Sequence, residues 1–156
     1  MGGEFGQWDE WSESRSLDWH LLAWPPHQGL LRWVRDLNTA YRAEPALHER
    51  DCRPDGFEWS DASDSQQSIV CFVRKSENEQ VLAVFNFTPV PRHDYRVGVS
   101  LDGWWEEILN SDAPIYGGSG HGNFGGVLAM LHGSHGRPFQ LSLSLPPLGV
   151  VMLRRK

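Results

Sequence analysis

Cysteine is nearly absent from this chain of 156 residues, which contains only Cys52 and Cys71. Two cysteines without Cys-x-x-Cys spacing indicate neither a zinc site nor a disulfide framework. Cys71 falls within an apolar run, where a free cysteine behaves as a small hydrophobic residue. We therefore expect Cys71 to be buried and chemically silent.

Positive charge and long apolar runs are also scarce. The 14 Lys and Arg residues are outnumbered by 20 Asp and Glu residues, which gives a formal net charge of -6. This balance argues against a nucleic-acid-binding surface and a polybasic membrane anchor. Every apolar run is far shorter than the roughly 20 residues that span a bilayer, and no signal peptide is recognisable. We expect a soluble, cytoplasmic protein without nucleic-acid or membrane partners.

Tryptophan, by contrast, is abundant, with eight residues in the chain. Five of them lie within the first 33 residues, and Trp59, Trp104 and Trp105 follow. Such a density indicates either a thick aromatic core or exposed flat faces on which sugar rings can stack. For most of these residues the core is the expected position.

The first part of the chain lacks a regular pattern until a helix begins. Residues 1–27 contain Pro25 and Pro26, which favours a loop with at most one helical turn near residues 17–22. Apolar residues then recur at helical spacing, which predicts an amphipathic helix over about residues 29–43. The apolar stripe of this helix consists of Leu30, Trp33, Val34, Leu37 and Tyr41.

The pattern after residue 50 is that of β-strands, with short β-branched and aromatic runs between turn residues. Leu and Ser alternate over residues 141–145, as in a strand with one buried face. Many short strands with closely spaced turns favour a mainly β chain that forms an antiparallel β-sandwich. We divide the chain into residues 1–50 and residues 51–156. The predicted strands are residues 57–61, 68–74, 81–88, 95–99, 104–109, 127–131, 139–145 and 150–154.

Three motifs suggest chemistry that their surroundings do not support. Residues 120–125 (GHGNFG) match the dinucleotide fingerprint G-x-G-x-x-G, but no strand-turn-helix unit surrounds them, so a long irregular loop is the better interpretation. His132 and His135 have a ligand-like spacing, yet no further ligands lie nearby, and we expect no metal. Asn86 opens a glycosylation sequon that Pro89 follows directly, and we interpret it as a strand end.

Carboxylate pairs are present, but most have no arrangement that suits catalysis. Glu106 and Glu107 are adjacent on a predicted strand and therefore point to opposite faces, so they cannot act together on one substrate. Glu4 differs, because its neighbours are glycines and aromatic residues. A carboxylate in that setting could accept hydrogen bonds from the hydroxyl groups of a ligand.

Several strings in the chain resemble, in order and spacing, the closing stretch of bacterial 1,4-α-glucan branching enzymes. They are residues 1–7 (MGGEFGQ), 17–22 (LDWHLL), 34–38 (VRDLN), 45–49 (PALHE), 56–59 (GFEW), 86–92 (NFTPVPR), 109–112 (LNSD) and 145–148 (LPPL). The resemblance covers essentially all 156 residues. It implies a fragment of a longer enzyme, with the end of a (β/α)8 barrel in residues 1–50 and a C-terminal β-sandwich of the α-amylase type in residues 51–156.

The resemblance also implies a function in glycogen synthesis. The family cleaves an α-1,4-glucan and rejoins the freed segment through an α-1,6 bond by a retaining mechanism, with an Asp nucleophile and a Glu acid-base. Neither of these matches a residue of this chain, so the chain alone is expected to be inactive and to stabilise the barrel. By the same resemblance Glu4, Gln7 and Trp8 would lie near glucan. Trp59 is a candidate sugar-stacking residue, with a core position as the alternative, and no cofactor or metal is implied.

Two other functions stay open from the sequence. One is an autonomous carbohydrate-binding module, which the tryptophans and glycine-rich loops favour. The other is a purely structural β-sandwich without ligand affinity. The chain also departs from the family at residues 12–14 (SES), where Asn-His-Asp is usual, and at residues 129–131 (AML), which are more apolar than the family's acidic loop.

Overall fold

A computed structural model describes the whole chain, from Met1 to Lys156. It contains one α-helix, eight β-strands and several short 3-10 turns. All strand pairs are antiparallel, which confirms the predicted mainly β class. The elements are α1 (Pro25–Ala43), β1 (Phe57–Asp61), β2 (Ile69–Lys75), β3 (Gln80–Asn86), β4 (Arg92–Val99), β5 (Trp104–Asn110), β6 (Gly126–Leu128), β7 (Phe139–Leu145) and β8 (Gly149–Arg155).

The strands form two sheets around one main core. Six strands are hydrogen-bonded in the order β1-β2-β3-β8-β5-β6, and β4 pairs with β7 in a two-stranded sheet. Burying each large aliphatic side chain between such sheets contributes about 1.5–3 kcal/mol. The core consists of Ile69, Cys71, Val73, Leu82, Val84, Tyr95, Val97, Val99, Trp105, Leu141, Leu143, Leu145, Val151 and Leu153.

Two local predictions about this core are confirmed. In β7 the side chains of Leu141 and Leu143 are fully buried while Ser142 is half-buried, as the alternating pattern predicts. Cys71 is fully buried and free, and burial raises the pKa of its thiol to about 12. The thiol therefore stays protonated, and Cys71 serves as a packing residue.

Helix α1 begins four residues earlier than the sequence pattern predicts, because Pro25 and Pro26 occupy its first turn. Proline is tolerated there, since its missing N–H would have no partner inside the helix and its φ angle is already helical. The interpretation of these prolines as loop residues was wrong. The helix ends at Ala43, as predicted.

Helix α1 packs on the 3-10 turn Pro114–Tyr116 that follows β5. Gly29 is the one buried residue of the helix, and a Cβ atom at this position would collide with the backbone carbonyl of Tyr116. The ring of Trp33 packs edge-on against the ring of Tyr116, with 5.2 Å between centroids. The hydroxyl of Tyr116 donates a hydrogen bond of 2.9 Å to Asp36, and burial together with this bond raises its pKa to about 12. These contacts fix the rotation of the helix against the sheet.

A second anchor holds the end of the helix. Arg154 of β8 donates hydrogen bonds to Glu44, at 2.8 Å, and to Glu106 of β5, at 2.6 Å. Glu44 directly follows α1 and is only 5% exposed. Ala46 then packs on Val81 at the outer face of the larger sheet. The helix and the sandwich are thus in direct contact. The division of the chain into two domains at residue 50 stays a prediction.

The glycine-rich segment is an irregular loop that leads into β6, and no helix follows it. Gly120 and Gly125 have φ angles of 87° and 96°, which glycine adopts without strain. Asp112 holds the loop, because its carboxylate accepts hydrogen bonds from the backbone and hydroxyl of Ser119 and from the backbone of His121, at 2.7–2.9 Å. Burial raises the pKa of Asp112, but these hydrogen bonds lower it more, so it lies below its ordinary value. The nucleotide-binding interpretation has no structural support.

We predict that Gly29→Ala lowers the free energy of unfolding by about 1–2 kcal/mol, although alanine is the better helix former, because a collision with backbone forces the helix to move. Urea unfolding followed by circular dichroism measures this change. Gly3→Ala is the matched control, since no atom lies within 4 Å of a Cβ atom at that position. An unchanged free energy for Gly29→Ala would show that the helix does not depend on this close approach.

We also predict that Asp112→Asn destabilises the chain in a pH-dependent way. The folded-state pKa of Asp112 lies below the unfolded value of 3.8, so its carboxylate stabilises the fold above that pH, and the contribution is lost as the pH falls through the folded value. The amide cannot accept all three hydrogen bonds, and the loss at neutral pH should be about 1–2 kcal/mol. Urea unfolding at about pH 7 and about pH 3 should show the deficit shrinking at the lower pH.

Glu77→Gln, in an exposed turn, provides the control and should change the free energy of unfolding at neither pH. A deficit in Asp112→Asn that is the same at both pH values would contradict the role of the charged carboxylate.

Candidate functional site

The loop that contains three of the predicted site residues is anchored by an aromatic residue. Phe5 is fully buried and packs against Trp19, with 5.2 Å between ring centroids. The carbonyl oxygen of Phe5 lies 2.7 Å from Nδ1 of His27 on helix α1, which therefore carries the proton at that nitrogen. The loop is thus held on the N-terminal end of the helix.

Both ends of the Gln7 side-chain amide form hydrogen bonds within the loop itself. Its Oε1 accepts a hydrogen bond of 2.9 Å from the backbone N–H of Asp18, and its Nε2 donates one of 2.9 Å to the carbonyl of Asp9. The side chain is half-buried. Gln7 therefore shapes the loop, and a contact between its amide and a ligand would compete with these bonds.

Glu4 and Trp8 are the members of the loop that are open to solvent. Glu4 is exposed in the 3-10 turn Gly3–Phe5, and its carboxylate makes no hydrogen bond or ion pair with the rest of the chain. Trp8 is 78% exposed, and its ring lies edge-on to the ring of His27, at 5.6 Å between centroids. The loop thus presents one free carboxylate and one indole ring on the same short segment.

Trp59 lies apart from the loop, on the edge strand β1. It is 54% exposed, so a core position for it is wrong, and the same holds for most of the tryptophans, of which Trp105 alone is buried. Its ring stands nearly perpendicular to the rings of Phe57 and Phe72, at 4.9 and 6.0 Å between centroids. The adjacent Ser60 points the other way and is buried, which places Trp59 on the outer face of the larger sheet.

Trp59 belongs to an aromatic row that the sequence reasoning missed. The rings of Phe72 and Phe85 are stacked at 5.7 Å and 27°, and those of Phe85 and Phe87 at 6.0 Å and 8°. Stacked neighbours cover each other's faces, so these phenylalanines serve packing more than ligand stacking. Aromatic residues two apart on one strand share a face, and this spacing could have revealed the row. The aromatic row consists of Phe57, Trp59, Phe72, Phe85 and Phe87.

The adjacent carboxylates of β5 have separate partners, as predicted. Glu106 pairs with Arg154 and with Lys156. Glu107 instead accepts hydrogen bonds from the backbone and the side chain of Asn123, at 2.9 and 2.7 Å. The two side chains stabilise different parts of the fold and do not converge on a substrate.

Ser119, His121 and Asp112 are close together but are not arranged for nucleophilic catalysis. The Ser119 hydroxyl lies 2.7 Å from Asp112 and 2.8 Å from Nδ1 of His121. In a catalytic triad the imidazole lies between the hydroxyl and the carboxylate and uses a different nitrogen for each. Here the hydroxyl contacts the carboxylate directly, so the cluster serves to close the loop.

The remaining motifs also have structural roles. Asn86 is 1% exposed and donates hydrogen bonds to the carbonyls of Val90 and Pro146, at 2.9 and 2.8 Å, so its amide is not available for glycosylation. Nδ1 of His135 accepts a hydrogen bond from the backbone of Gly98, at 3.3 Å. No three or more His, Cys, Asp or Glu side chains converge as metal ligands would.

The eight antiparallel strands and their core define the class of protein. The chain belongs to the family of the alpha-amylase C-terminal all-beta domain, whose model matches residues 59–156. The alpha-amylase from H. orenii shows the same fold at a TM-score of 0.50, with 14% identity, over 81% of this chain and 20% of that protein. None of the helices is long and apolar enough to cross a membrane.

Curated relatives extend the match to the helix and the loop before it. The 1,4-alpha-glucan branching enzyme GlgB of Aquifex aeolicus is 56% identical over 158 residues, covering 100% of this chain and 25% of that protein. The enzyme of the same name from Cereibacter sphaeroides is 57% identical over 154 residues, covering 98% of this chain and 21% of that protein. The chain therefore spans about a quarter to a fifth of the length of these relatives, and its resemblance to their C-terminal portion is confirmed.

Proposed function

We propose that this chain acts as the C-terminal part of a cytoplasmic 1,4-α-glucan branching enzyme, where it stabilises the catalytic barrel. The observation that carries the proposal is that the identity to the Aquifex aeolicus enzyme, 56%, extends over the entire chain, helix α1 included, and not over the sandwich alone. The transfer of a glucan segment from an α-1,4 to an α-1,6 linkage is then a property of the whole enzyme. The chain alone is inactive, because the implied nucleophile and acid-base match none of its residues.

An uncovered apolar surface on helix α1 supports this role. Leu30, Leu37 and Tyr41 of the predicted stripe are 37%, 38% and 45% exposed, because the helix contacts the sandwich through the neighbouring side that contains Gly29 and Asp36. Contiguous apolar surface that stays in water is typical of an interaction site. The rest of the barrel is the partner that we assign to it.

The same surface continues from the helix onto the larger sheet. A hollow of about 370 Å³ lies between them and is lined by Leu37, Tyr41, Leu47, Phe72 and Met152, among others. Phe72 is also a member of the aromatic row. The helix stripe and the hollow, which also contains the ion pair of Asp51 with Arg74, form the surface that we assign to the rest of the barrel.

We predict that a chimera of the Aquifex aeolicus enzyme, with its matched segment replaced by this chain, branches amylose and lowers the absorbance of the iodine complex. Leu30→Asp places a charge in the proposed interface and should lower the melting temperature of the chimera by at least about 3 °C. Its branching rate should fall as well. The melting temperature of the isolated chain should fall less, because Leu30 there loses its contact with the loop at Gly6 but no interface with the barrel.

Asn38→Asp is the matched control for this experiment, because Asn38 is exposed on α1, outside the predicted stripe and outside the contact with Tyr116. It introduces the same residue into the same helix and should leave the chimera unaffected. Equal effects of the two substitutions would contradict the interface. Branching by the isolated chain would overturn the assignment of the chemistry to the rest of the enzyme.

A contact with α-glucan is the second function that we propose, and the exposure of Trp59 favours it. Trp59→Ala should reduce the retardation of the chain in a native gel that contains glycogen by about half or more, since an aromatic face is lost. Trp104→Ala is the matched control, because Trp104 is 42% exposed and lies on β5, far from β1 in the same sheet. A wild-type chain that glycogen does not retard would leave the sandwich with a purely structural role.

A further inference from the structure

A second cleft, larger than the hollow beside α1, shares no residue with α1 or with the aromatic row. It lies beside β4, where the segment after β1 and the loop before β7 meet that strand, and it has a volume of about 550 Å³. Ligand sites commonly have volumes of about 300–1,000 Å³. The cleft is lined almost entirely by polar side chains, among them Asp64, Gln67, Arg92, His93, Arg96 and His135.

Two arginines in this cleft lack a partner, which is unusual for this chain. Of its 12 arginines, eight form ion pairs with carboxylates, and Arg32 donates to a backbone carbonyl. Arg42, Arg92 and Arg96 are the ones without a hydrogen-bond or ion-pair partner. Two of these three line the same cleft. In a chain with 20 carboxylates, two guanidinium groups thus lie in one cleft without a direct partner.

The two carboxylates of the cleft accept hydrogen bonds from neutral groups. Asp64 accepts hydrogen bonds from the hydroxyl of Tyr95, at 3.0 Å, and from the backbone and side-chain nitrogens of Gln67, at 3.1 and 3.0 Å. Asp94 accepts one from the hydroxyl of Ser142, at 3.3 Å. Neither carboxylate forms an ion pair with an arginine, so both guanidinium groups remain available to a ligand.

The backbone around the cleft is irregular as well. The pairing of β4 with β7 shifts register between Arg92 and Tyr95, and bulges of this kind redirect side chains near functional sites. Asp94 and His135 have φ angles of 55° and 50°, in the left-handed region that few residues with a side chain adopt. Such strain often accompanies binding sites, where the surrounding structure maintains it.

We propose that this cleft binds a phosphate group through Arg92 and Arg96. The planar guanidinium group matches the oxygens of a phosphate and donates two parallel, charge-assisted hydrogen bonds. A neutral sugar fits less well, because the cleft offers no open aromatic face: Tyr95, its one aromatic ring other than the two imidazoles, is 9% exposed. The phosphate could be free or carried by a sugar, and both sources share this chemistry.

Isothermal titration calorimetry of the chain at low salt tests the proposal with inorganic phosphate, glucose 6-phosphate and maltose as probes. Saturable binding of the phosphates, weakened by added salt, is expected. Arg96→Gln should weaken it about tenfold, since it removes a charge-assisted pair of hydrogen bonds. Tighter binding of glucose 6-phosphate than of inorganic phosphate would indicate a sugar phosphate, and equal binding would indicate free phosphate.

Arg42→Gln is the matched control, because Arg42 is also exposed and unpaired but lies on α1, outside the cleft. It should leave the affinity unchanged. Arg92→Gln provides a second variant, and circular dichroism checks that it folds. Arg96 is exposed, so its replacement should not impair folding. Absence of saturable phosphate binding, tighter binding of maltose, or an equal loss in Arg42→Gln would each overturn the proposal.

Discussion

The close approach of helix α1 to the turn at Tyr116 is the constraint on which the arrangement of the chain depends. Because Gly29 has no side chain, the helix backbone can lie against a carbonyl of the sandwich, and Trp33 and Asp36 then reach the ring and the hydroxyl of Tyr116. These contacts set the rotation of the helix. Since successive residues are about 100° apart, the side that contains Leu30 is turned about a quarter turn away from the sandwich and stays exposed.

This rotation separates two kinds of surface. The exposed side of α1 and the hollow beside it form a mainly apolar area, which suits the permanent partner that we propose, the rest of a branching enzyme. The cleft beside β4 is polar and contains unpaired guanidinium groups, which suits a small charged ligand. The two roles that we propose, one structural and one in binding, therefore use different faces of the chain.

Predictions that depend on local pattern succeeded in part, since the strand predicted over residues 127–131 ends at Leu128 and β4 begins at Arg92, three residues before its predicted start. The bounds of β1 and β7 agree with the predicted strands, because alternation and flanking turn residues are local signals. The start of α1 was missed, because a proline pair is compatible with a loop and with a first helical turn, and packing decides between them. The exposure of Trp59 was equally hidden, since it follows from the place of β1 at the edge of the sheet.

The sequence by itself determined the antiparallel β architecture, the presence of one amphipathic helix and the resemblance to branching enzymes, because periodicity and characteristic strings are properties of neighbouring residues. Only the tertiary structure decided which side of the helix is covered, that five aromatic residues from three strand regions form one row, and that Arg92 and Arg96 share a cleft without a carboxylate partner. Strand register and helix rotation decide each of these features, because they determine which side chains come within contact distance.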